Sequence, residues 1–324
     1  MNNPASAIRV ACIGEVMIEV TLRDGDSARL SIAGDTYNTA AYLKANAPAI
    51  EVSYVTVLGT DSFSDRILRD MLARDIDTSE IICHPKRMPG LYAIETDRTG
   101  ERRFSYWRAT SAARTMFDED GREPAEVIAH YSHILISGIT LAILTETARS
   151  LLCNALKTFR ARGGVVVFDS NYRPQLWDSP ATARSAMEKF WRCTDIGLPS
   201  LDDEIALFGD ADEAAVTARL RSWGVLRGSL KRGAAGPVSL GPHDDDTEWP
   251  AAETVMDTTA AGDGFNAGYL LGELAGYDSG MSMRIGHELA RTVIGQQGAI
   301  VDADWMTMTF RPLLDAQLQA HIND

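Results

Sequence analysis

The sequence predicts a three-layer α/β fold with a largely parallel central sheet flanked by helices, plus a small β-sheet lid. First, apolar strand-like segments alternate with helix-like segments along most of the chain, as in folds built around a parallel sheet. Second, residues 165–169 are nearly all apolar and fit a strand buried on both faces. Third, two polar, alternating segments, at approximately 19–33 and 89–110, are interpreted as excursions that form the lid.

The first third of the chain opens with an apolar strand at 8–18, which Gly14 and Glu15 interrupt. The first excursion then turns at Asp24-Gly25, a pair typical of turns. Proline at position 48 ends the first helical segment. Further strands are expected at 52–58 and 78–84, helices at 39–47 and 61–75, and a hairpin at 90–95 and 102–107 joined by the turn-forming residues 97–100.

The remaining two thirds continue the same alternation. Gly163-Gly164 ends a long helix, and Ser200 is expected to cap a later one. The glycine-bearing turn 231–236 is a weak hairpin signal, residues 243–246 form an acidic loop, and a polar tail follows the last helix. The expected helices are 125–131, 145–162, 181–193, 201–208, 213–223, 283–297 and one beginning after Gly262, and the expected strands are 133–137, 165–169, 196–198 and 225–231.

Composition indicates a globular protein with an ample core. The chain has 324 residues, of which 45% are hydrophobic and 23% are charged. This length permits one large α/β domain or two ordinary ones, and since no low-complexity linker divides the sequence, we interpret residues 1–324 as a single domain. The net charge of −14, from 31 basic and 45 acidic residues, argues against nucleic acid or an anionic membrane as the main partner.

Membrane-spanning and targeting segments are not expected. The longest apolar runs, such as 165–168, fall well short of the roughly 20 residues that a membrane span needs. Residues 1–8 lack the basic region and apolar core of a signal peptide. The four cysteines, at positions 12, 83, 153 and 193, have no paired spacing, so we expect reduced thiols, a cytoplasmic location and no zinc site.

Residues 257–268, Asp-Thr-Thr-Ala-Ala-Gly-Asp-Gly-Phe-Asn-Ala-Gly, have the composition of an anion-binding loop that leads into a helix. The first N–H groups of a helix lack intrahelical partners and carry partial positive charge. Small residues at 260–262 let a phosphate approach the backbone closely. Asp263 would then lie beside a bound phosphoryl group, where a general base for a substrate hydroxyl is needed. A capped helix whose dipole Asp263 complements explains the same residues, and both interpretations stay open.

Two further segments indicate recognition of a polar acid. The expected hairpin contains Tyr92, Tyr106 and Arg108, and aromatic rings with an arginine suit such a ligand. A hairpin with an ordinary packed face would have the same pattern. Asn171 and Arg173 directly follow the buried strand, and open parallel sheets bind ligands at the carboxyl ends of their strands. Arg173 could equally form a structural ion pair.

Three motifs, in their order and spacing, resemble those of the ribokinase/PfkB-type carbohydrate kinases over residues 9 to about 301. Residues 257–268 are similar to the C-terminal signature of that family. Residues 34–38, Gly-Asp-Thr-Tyr-Asn, resemble its sugar-binding motif, and residues 231–236, Lys-Arg-Gly-Ala-Ala-Gly, resemble its nucleotide-contacting turn. The resemblance implies a ribokinase-like fold and a kinase that uses ATP and Mg²⁺.

A narrower resemblance is to the 2-keto-3-deoxygluconate kinases within that family. The segments Tyr106-Trp-Arg108 and Asn171-Tyr-Arg-Pro174 are specific to its acid-sugar members. The implied reaction is ATP-dependent phosphorylation of 2-keto-3-deoxygluconate to 2-keto-3-deoxy-6-phosphogluconate. The alternatives are a kinase of the same fold for fructose, 2-keto-3-deoxygalactonate or a deoxy-inositol-derived acid, and a sugar-acid sensor without catalytic activity.

The family resemblance also implies roles for individual residues. Asp263 would be the general base, and the N–H groups of Ala260, Ala261 and Gly262 would stabilise the transferring phosphoryl group. Asp203, in a metal-associated motif that lacks its usual asparagine, would contact Mg²⁺. The implied sugar-acid contacts are Gly34, Asp35, Asn38, Tyr92, Tyr106, Arg108, Arg173 and Asp263. The implied ATP contacts are Asn171, Lys231, Gly233, Gly236, Ala260 and Gly262.

The sequence departs from the family pattern at three small residues. Ala33 stands where many relatives have glycine, and Ala260 replaces a glycine of the wider family. Gly264 stands where serine is usual, which implies a looser start of the catalytic helix. Separately, an exposed lid sheet bearing tyrosine and tryptophan side chains leads us to expect a homodimer formed through the lid.

Overall fold

The computed structural model describes residues 8–22, 27–96, 102–241 and 248–323. The strands are β1 Arg9–Ile13, β2 Met17–Leu22, β3 Ala28–Ala33, β4 Glu51–Leu58, β5 Ile81–Cys83, β6 Gly90–Thr96, β7 Arg102–Trp107, β8 His133–Ser137, β9 Val165–Asp169, β10 Ile196–Gly197, β11 Ser229–Leu230 and β12 Val238–Ser239. The helices are α1 Asp35–Asn46, α2 Ser62–Ala73, α3 Pro124–Val127, α4 Gly138–Ile143, α5 Glu146–Ala161, α6 Pro180–Trp191, α7 Leu201–Phe208, α8 Glu213–Ser222, α9 Ala261–Leu274, α10 Ser279–Ile294 and α11 Ala303–Asn323.

The central sheet has the strand order β10-β9-β8-β1-β4-β5, and each neighbouring pair is parallel. This confirms the predicted parallel sheet. The chain first adds β4 and β5 on one side of β1 and later adds β8, β9 and β10 on the other side. The winding therefore reverses at β1, and ligands bind in the crevice at the carboxyl ends of the strands at such a point.

Helices cover the sheet on both faces, because β1 contributes alternate side chains to two hydrophobic cores. Val10 and Cys12 belong to the core that includes residues of α1, α9 and α10. Ala11 and Ile13 belong to the core that includes residues of α5 and α6. Successive side chains of a strand point to opposite faces, so a strand between two helical layers is apolar throughout. The predicted three layers are confirmed.

The lid is a separate four-stranded sheet in the order β3-β2-β6-β7. Antiparallel pairs β2–β3 and β6–β7 are joined by the parallel pair β2–β6. The two predicted excursions therefore meet in one sheet. Their predicted turns, at residues 24–25 and 97–100, lie outside the described residues, as does the predicted acidic loop 243–246.

Several predicted elements are wrong or incomplete. Residues 303–323, taken as a polar tail, form α11, whose buried Phe310 packs into the core of α1, α9 and α10. Helix α4 was not predicted; it is short and begins directly after β8, where the hydroxyl of Ser137 accepts a hydrogen bond from the Thr140 N–H group. Ser200 precedes α7 but its side chain makes no capping hydrogen bond. The expected strand 225–231 is reduced to the two residues of β11.

Glycines on α9 allow a close crossing with α10. A Cβ atom at Gly268 would lie 2.7 Å from the Ile285 carbonyl oxygen and 2.8 Å from the Gly286 Cα. At Gly264 it would lie 3.0 Å from Cγ2 of Val293. Gly264 is buried in this contact, so the missing side chain serves helix packing, and the looser helix start implied by the family pattern has no support here.

The described helices do not include one that combines the length and the apolar character of a membrane span.

Candidate active site

A cavity of about 910 Å³ lies between the lid and the carboxyl ends of the central strands. Residues of the lid, of the sheet edge and of the segment before α9 line it together. The sequence-predicted residues on its wall are Gly34, Asp35, Asn38, Tyr92, Tyr106, Arg108, Asn171, Arg173, Asp203, Lys231, Ala260, Ala261, Gly262 and Asp263. The fold therefore brings together segments that are far apart in the chain.

The start of α9 is open toward this cavity. Ala260 precedes the helix with φ 62° and ψ 13°, and it provides no side-chain cap. A left-handed conformation is unfavourable for alanine and is the kind of local strain found at functional sites. A Cβ atom on Gly262 would meet Nζ of Lys231, 3.7 Å away. The Ala261 N–H group donates to the Thr258 carbonyl oxygen at 3.2 Å, but no side chain caps the helix. The remaining N–H groups of the first turn and the nearby ammonium group make this a candidate anion site, which disfavours the capped-helix interpretation.

Asp263 is a buried carboxylate in the first turn of α9. Its Oδ2 accepts a 2.8 Å hydrogen bond from Nδ2 of Asn38. Burial, followed by the repulsion of the Asp35 carboxylate, raises the pKa of Asp263 to about 8, against the opposing effect of the Asn38 hydrogen bond. A carboxylate with this proton affinity is suited to accept a proton near neutral pH.

Asp35 and Asn171 contact each other on the wall of the cavity. Nδ2 of Asn171 donates a 2.8 Å hydrogen bond to Oδ2 of Asp35. The backbone N–H of Asn171, at φ 28°, donates to Oδ1 of Asp169 at 3.2 Å. Burial raises the pKa of Asp35, partly offset by a hydrogen bond from Ser137. The sequence predicted Asn171 as an ATP contact, but in the structure it holds Asp35, a predicted contact of the sugar acid.

Sequence reasoning missed a network of Asp169, Lys231 and Asn266. Nζ of Lys231 lies 2.9 Å from Oδ2 of Asp169 and donates a 3.0 Å hydrogen bond to Oδ1 of Asn266. Nδ2 of Asn266 donates to the same Asp169 oxygen at 2.6 Å. The network fixes the lysine ammonium beside the start of α9. One sequence feature could have indicated Asp169: it is the last residue of the buried strand and so lies at the edge of the sheet where ligands bind.

Arg108 is paired with Glu15, a second residue that sequence reasoning missed. Nη2 of Arg108 donates to Oε2 of Glu15, and both residues are buried. Nε of Arg108 and Oε1 of Glu15 are buried without a protein partner. Glu15 lies just before β2 and Arg108 just after β7, so the pair connects the two ends of the lid. The sequence feature that could have indicated Glu15 is that it interrupts the predicted opening strand.

Tyr92 projects from β6 on the buried face of the lid. Its hydroxyl donates a 2.5 Å hydrogen bond to Oε2 of Glu19 on β2. Burial raises the pKa of Glu19. The ring of Tyr92 lies 5.7 Å from that of Tyr106 and 6.4 Å from that of Phe104, centroid to centroid. These three rings form the lid side of the cavity.

Arg173 forms the ion pair that the sequence left as an alternative. Its Nη1 lies 3.4 Å from Oδ1 of Asp203 and 2.9 Å from the Tyr172 carbonyl oxygen. The Tyr172 N–H group donates to Oδ2 of Asp203 at 3.1 Å. Burial raises the pKa of Asp203, with Arg173 acting in the opposite direction. Within the described residues, no group of three or more His, Cys, Asp or Glu side chains is close enough together to hold a metal ion.

Gly233 and Gly236 lie in the turn between β11 and β12 and are absent from the cavity wall. Gly236 has φ 77°, and a Cβ there would clash with the indole of Trp249. This conformation and close contact require glycine.

Comparison with known proteins places the chain among carbohydrate kinases. The pattern described as "pfkB family carbohydrate kinase" matches residues 7–306. The 2-dehydro-3-deoxygluconokinase of Escherichia coli (strain K12) is 41% identical over 305 residues, covering 92% of this chain and 98% of that protein. The enzyme of the same name from Dickeya dadantii (strain 3937) is 41% identical over 304 residues, again covering 92% and 98%.

A solved structure with the same fold is a putative ribokinase II from E. coli, in complex with ATP and Mg²⁺. It superimposes with a TM-score of 0.79 and 19% sequence identity, and the match covers 97% of this chain and 100% of that one. At this identity the likeness concerns the fold alone, and it confirms the ribokinase-like architecture.

Proposed function

The chain belongs to the pfkB family of carbohydrate kinases, and we propose that it phosphorylates 2-keto-3-deoxygluconate, also called 2-dehydro-3-deoxygluconate, with ATP. The observation that supports this most strongly is the 41% identity to two enzymes of that name over 98% of their length. The product would be the 6-phosphate of the sugar acid.

Asp263 is the proposed general base for the terminal hydroxyl of the sugar acid. It lies buried on the cavity wall, and Asn38 fixes its orientation through a 2.8 Å hydrogen bond. As a carboxylate it accepts the hydroxyl proton while the oxygen attacks the terminal phosphorus of ATP. The N–H group of Gly262, with the Lys231 ammonium nearby, stabilises the negative charge on the transferring phosphoryl group, while the N–H group of Ala261 donates to the Thr258 carbonyl oxygen at 3.2 Å.

The residues at this site fit ATP with Mg²⁺. The uncapped start of α9 and the Lys231 ammonium offer donors and positive charge for phosphates. Magnesium in such sites rests on one or two carboxylates together with phosphate oxygens and water, so the lack of a convergent ligand cluster in the described residues is compatible with it. Asp203 would contact the ion after its ion pair with Arg173 has opened. The bound ion would neutralise charge on the phosphates.

Recognition of an acid, as distinct from a neutral sugar, is assigned to Arg108 and Arg173. Both line the cavity, so their guanidinium groups can contact a ligand that binds there. A guanidinium offers a charge-assisted hydrogen bond to a carboxylate. A neutral ketose such as fructose has no carboxylate to accept it, so weaker binding is expected.

The test is a comparison of kcat/KM for 2-keto-3-deoxygluconate, 2-keto-3-deoxygalactonate and fructose with saturating ATP. The highest value is expected for 2-keto-3-deoxygluconate and the lowest for fructose. A preference for fructose, or no ATP consumption with any of the three, would contradict the proposed substrate.

The base is tested by Asp263→Asn, which keeps the size of the side chain and removes its proton affinity. Turnover is expected to fall by roughly 10²–10⁴-fold, the range for loss of a general base. Asp178→Asn, at an exposed position before α6, is the control and is expected to keep parental turnover. Turnover of Asp263→Asn within about tenfold of the parent would mean that another group is the base.

We further infer that two copies associate through their lids. On edge strand β7 the ring of Trp107 is 63% accessible and, because successive side chains of a strand point to opposite faces, lies on the face away from the cavity-lining rings of Phe104 and Tyr106. An exposed edge strand with large apolar side chains is a site for pairing. Sedimentation analysis is expected to show a dimer for the parent and a monomer for Trp107→Asp. The cytoplasmic location remains a prediction from the sequence.

A further inference from the structure

Two cysteine thiols contact each other away from the cavity. Sγ of Cys153, on α5, lies 3.5 Å from Sγ of Cys193, two residues after the end of α6. Both are free thiols and both are buried. They are 40 positions apart in the chain, so the pair is formed only by the packing of α5 against the end of α6.

Cys153 can be reached from the surface. It lines a second cavity, of about 360 Å³, between α5 and α6, together with Arg149, Ser150 and Lys189. Either thiol can be the donor of the hydrogen bond between the two sulfurs. When Cys193 donates, this bond lowers the pKa of Cys153; Lys157 and Lys189 act in the same direction and burial opposes them. The thiolate is the reactive form of cysteine, and positive charges favour it.

We propose that Cys153 and Cys193 are a redox-sensitive pair, in which a small peroxide oxidises Cys153 and Cys193 then closes an intramolecular disulfide. The Cys153 thiolate attacks one peroxide oxygen, the O–O bond breaks, and Cys153 becomes a sulfenic acid while hydroxide or alkoxide leaves. The Cys193 sulfur attacks the Cys153 sulfur, the S–O bond breaks, and the leaving hydroxide combines with the thiol proton as water. The two sulfurs lose two electrons in total, which the peroxide accepts.

The other two cysteines lack these features. Cys12 lies in the opposite core, fully buried in β1, and burial raises its pKa. Cys83 is exposed on β5, at the other edge of the central sheet from β9 and β10. A disulfide needs an S–S distance of about 2.05 Å, so the sulfurs of Cys153 and Cys193, 3.5 Å apart, must approach by about 1.5 Å.

The experiment uses the full chain with Cys83→Ser, which prevents bridges between molecules. Free thiols are counted in denaturant before and after exposure to hydrogen peroxide, and again after a dithiol reductant. Since the parent has four cysteines, this variant has three thiols; the count is expected to fall to one and to return to three. Peptide mapping is expected to join the peptides that contain residues 153 and 193.

Two additional substitutions separate the proposed pair from general oxidation. With Cys193→Ala added, Cys153 is expected to stop at a sulfenic acid that dimedone traps, without a cross-link. With Cys12→Ala added, as the matched buried control, the cross-link is expected to persist; circular dichroism checks that each variant is folded. Survival of all three thiols, or loss of thiols without a link between residues 153 and 193, would overturn the proposal.

Discussion

The side-chain amide of Asn38 donates a 2.8 Å hydrogen bond to the carboxylate of Asp263, a residue 225 positions later in the chain. The hydroxyl of Thr39 donates a second bond, of 3.3 Å, to the backbone carbonyl of Asp263. The two bonds join the first turns of α1 and α9. They hold the proposed base beside the proposed sugar-acid motif, and the amide partly offsets the cost of burying a negative charge.

The first prediction concerns this hydrogen bond and the pH dependence of the reaction. Burial raises the pKa of Asp263 to about 8, and a base acts only when deprotonated, so kcat/KM of the parent is expected to increase with pH and to level off above about 8. Asn38→Asp replaces a donor with a carboxylate and raises this pKa further. Its pH profile is expected to move up by about one unit or more.

The matched control for Asn38→Asp is Asn154→Asp, which makes the same charge change at an exposed position on α5. Its pH profile is expected to coincide with that of the parent. A profile for Asn38→Asp that also coincides with the parent would show that Asn38 does not set the proton affinity of the base.

The second prediction is that Asp263→Asn makes the folded protein more stable. The pKa of Asp263 is higher in the folded state than the roughly 3.9 of an unfolded aspartate, so the folded state binds the proton more tightly and the parent loses stability as pH increases through this interval. The difference in unfolding free energy between Asp263→Asn and the parent is therefore expected to grow from about pH 4 to about pH 8 and then stay constant. Urea unfolding at several pH values measures it.

Asp178→Asn is again the control, because the carboxylate it removes is exposed. Its effect on the free energy of unfolding is expected to be small at every pH. A difference between Asp263→Asn and the parent that does not depend on pH would rule out the raised pKa of Asp263.

The third prediction compares two glycines of α9. At Gly268 an added methyl group meets backbone atoms of α10, at 2.7 Å and 2.8 Å, which cannot move independently of the helix. Gly268→Ala is expected to destabilise the fold by about 2 kcal/mol or more. At Gly264 the nearest atom is Cγ2 of Val293, at 3.0 Å, and the gain in helix propensity offsets the contact, so Gly264→Ala is expected to stay within about 1 kcal/mol of the parent. Equal effects in chemical unfolding would refute this account of the crossing.

The fourth prediction concerns the buried pair of Arg108 and Glu15. Arg108→Ala leaves the Glu15 carboxylate buried without its counter-charge, and a loss of about 3–5 kcal/mol in unfolding free energy is expected. Adding Glu15→Gln removes the stranded charge and is expected to recover part of that loss. The KM for the sugar acid is expected to be higher than that of the parent in both variants, since both lack the guanidinium assigned to its carboxylate.

A surface ion pair provides the control for that series. Arg9 and Glu51 also form an ion pair, but their side chains are 36% and 43% exposed. Arg9→Ala is expected to cost about 1 kcal/mol or less and to leave KM unchanged. A stability loss for Arg108→Ala no larger than that of Arg9→Ala would mean that the Glu15 carboxylate is not held as a buried charge.

Most of the layer architecture was predictable from the sequence, because it depends on local patterns. The near-continuous apolar run of β9 predicts burial on both faces, and Val165–Asp169 is the strand observed. The hairpin of β6 and β7 follows from alternation around a polar turn. Where the pattern is weak the prediction failed: α11 has mixed polarity and includes Pro312, and its packing against the core, which no local pattern signals, stabilises it.

The composition of the candidate site was predictable only in part. The motifs around Asp35 and Asp263 are recognisable because their residues, order and spacing resemble those of the carbohydrate-kinase family. The partners Glu15, Asp169 and Asn266 were missed, since the local signals at Glu15 and Asp169, a strand interruption and a strand end, do not identify a binding partner. Their significance comes from residues far away in the chain that reach the same cavity.

The sequence by itself determined the fold class and most of the strands and helices around the sheet, because short-range periodicity fixes these, and it marked residues 257–268 as a candidate anion-binding segment. Only the tertiary structure decided that Asn38 holds Asp263, that Glu15 pairs with Arg108 and that Cys153 contacts Cys193. Each of these pairs depends on how the elements pack across the sheet and the lid. The physical reason is that the free energy of a buried charge or thiol depends on its three-dimensional neighbours, which a linear pattern does not contain.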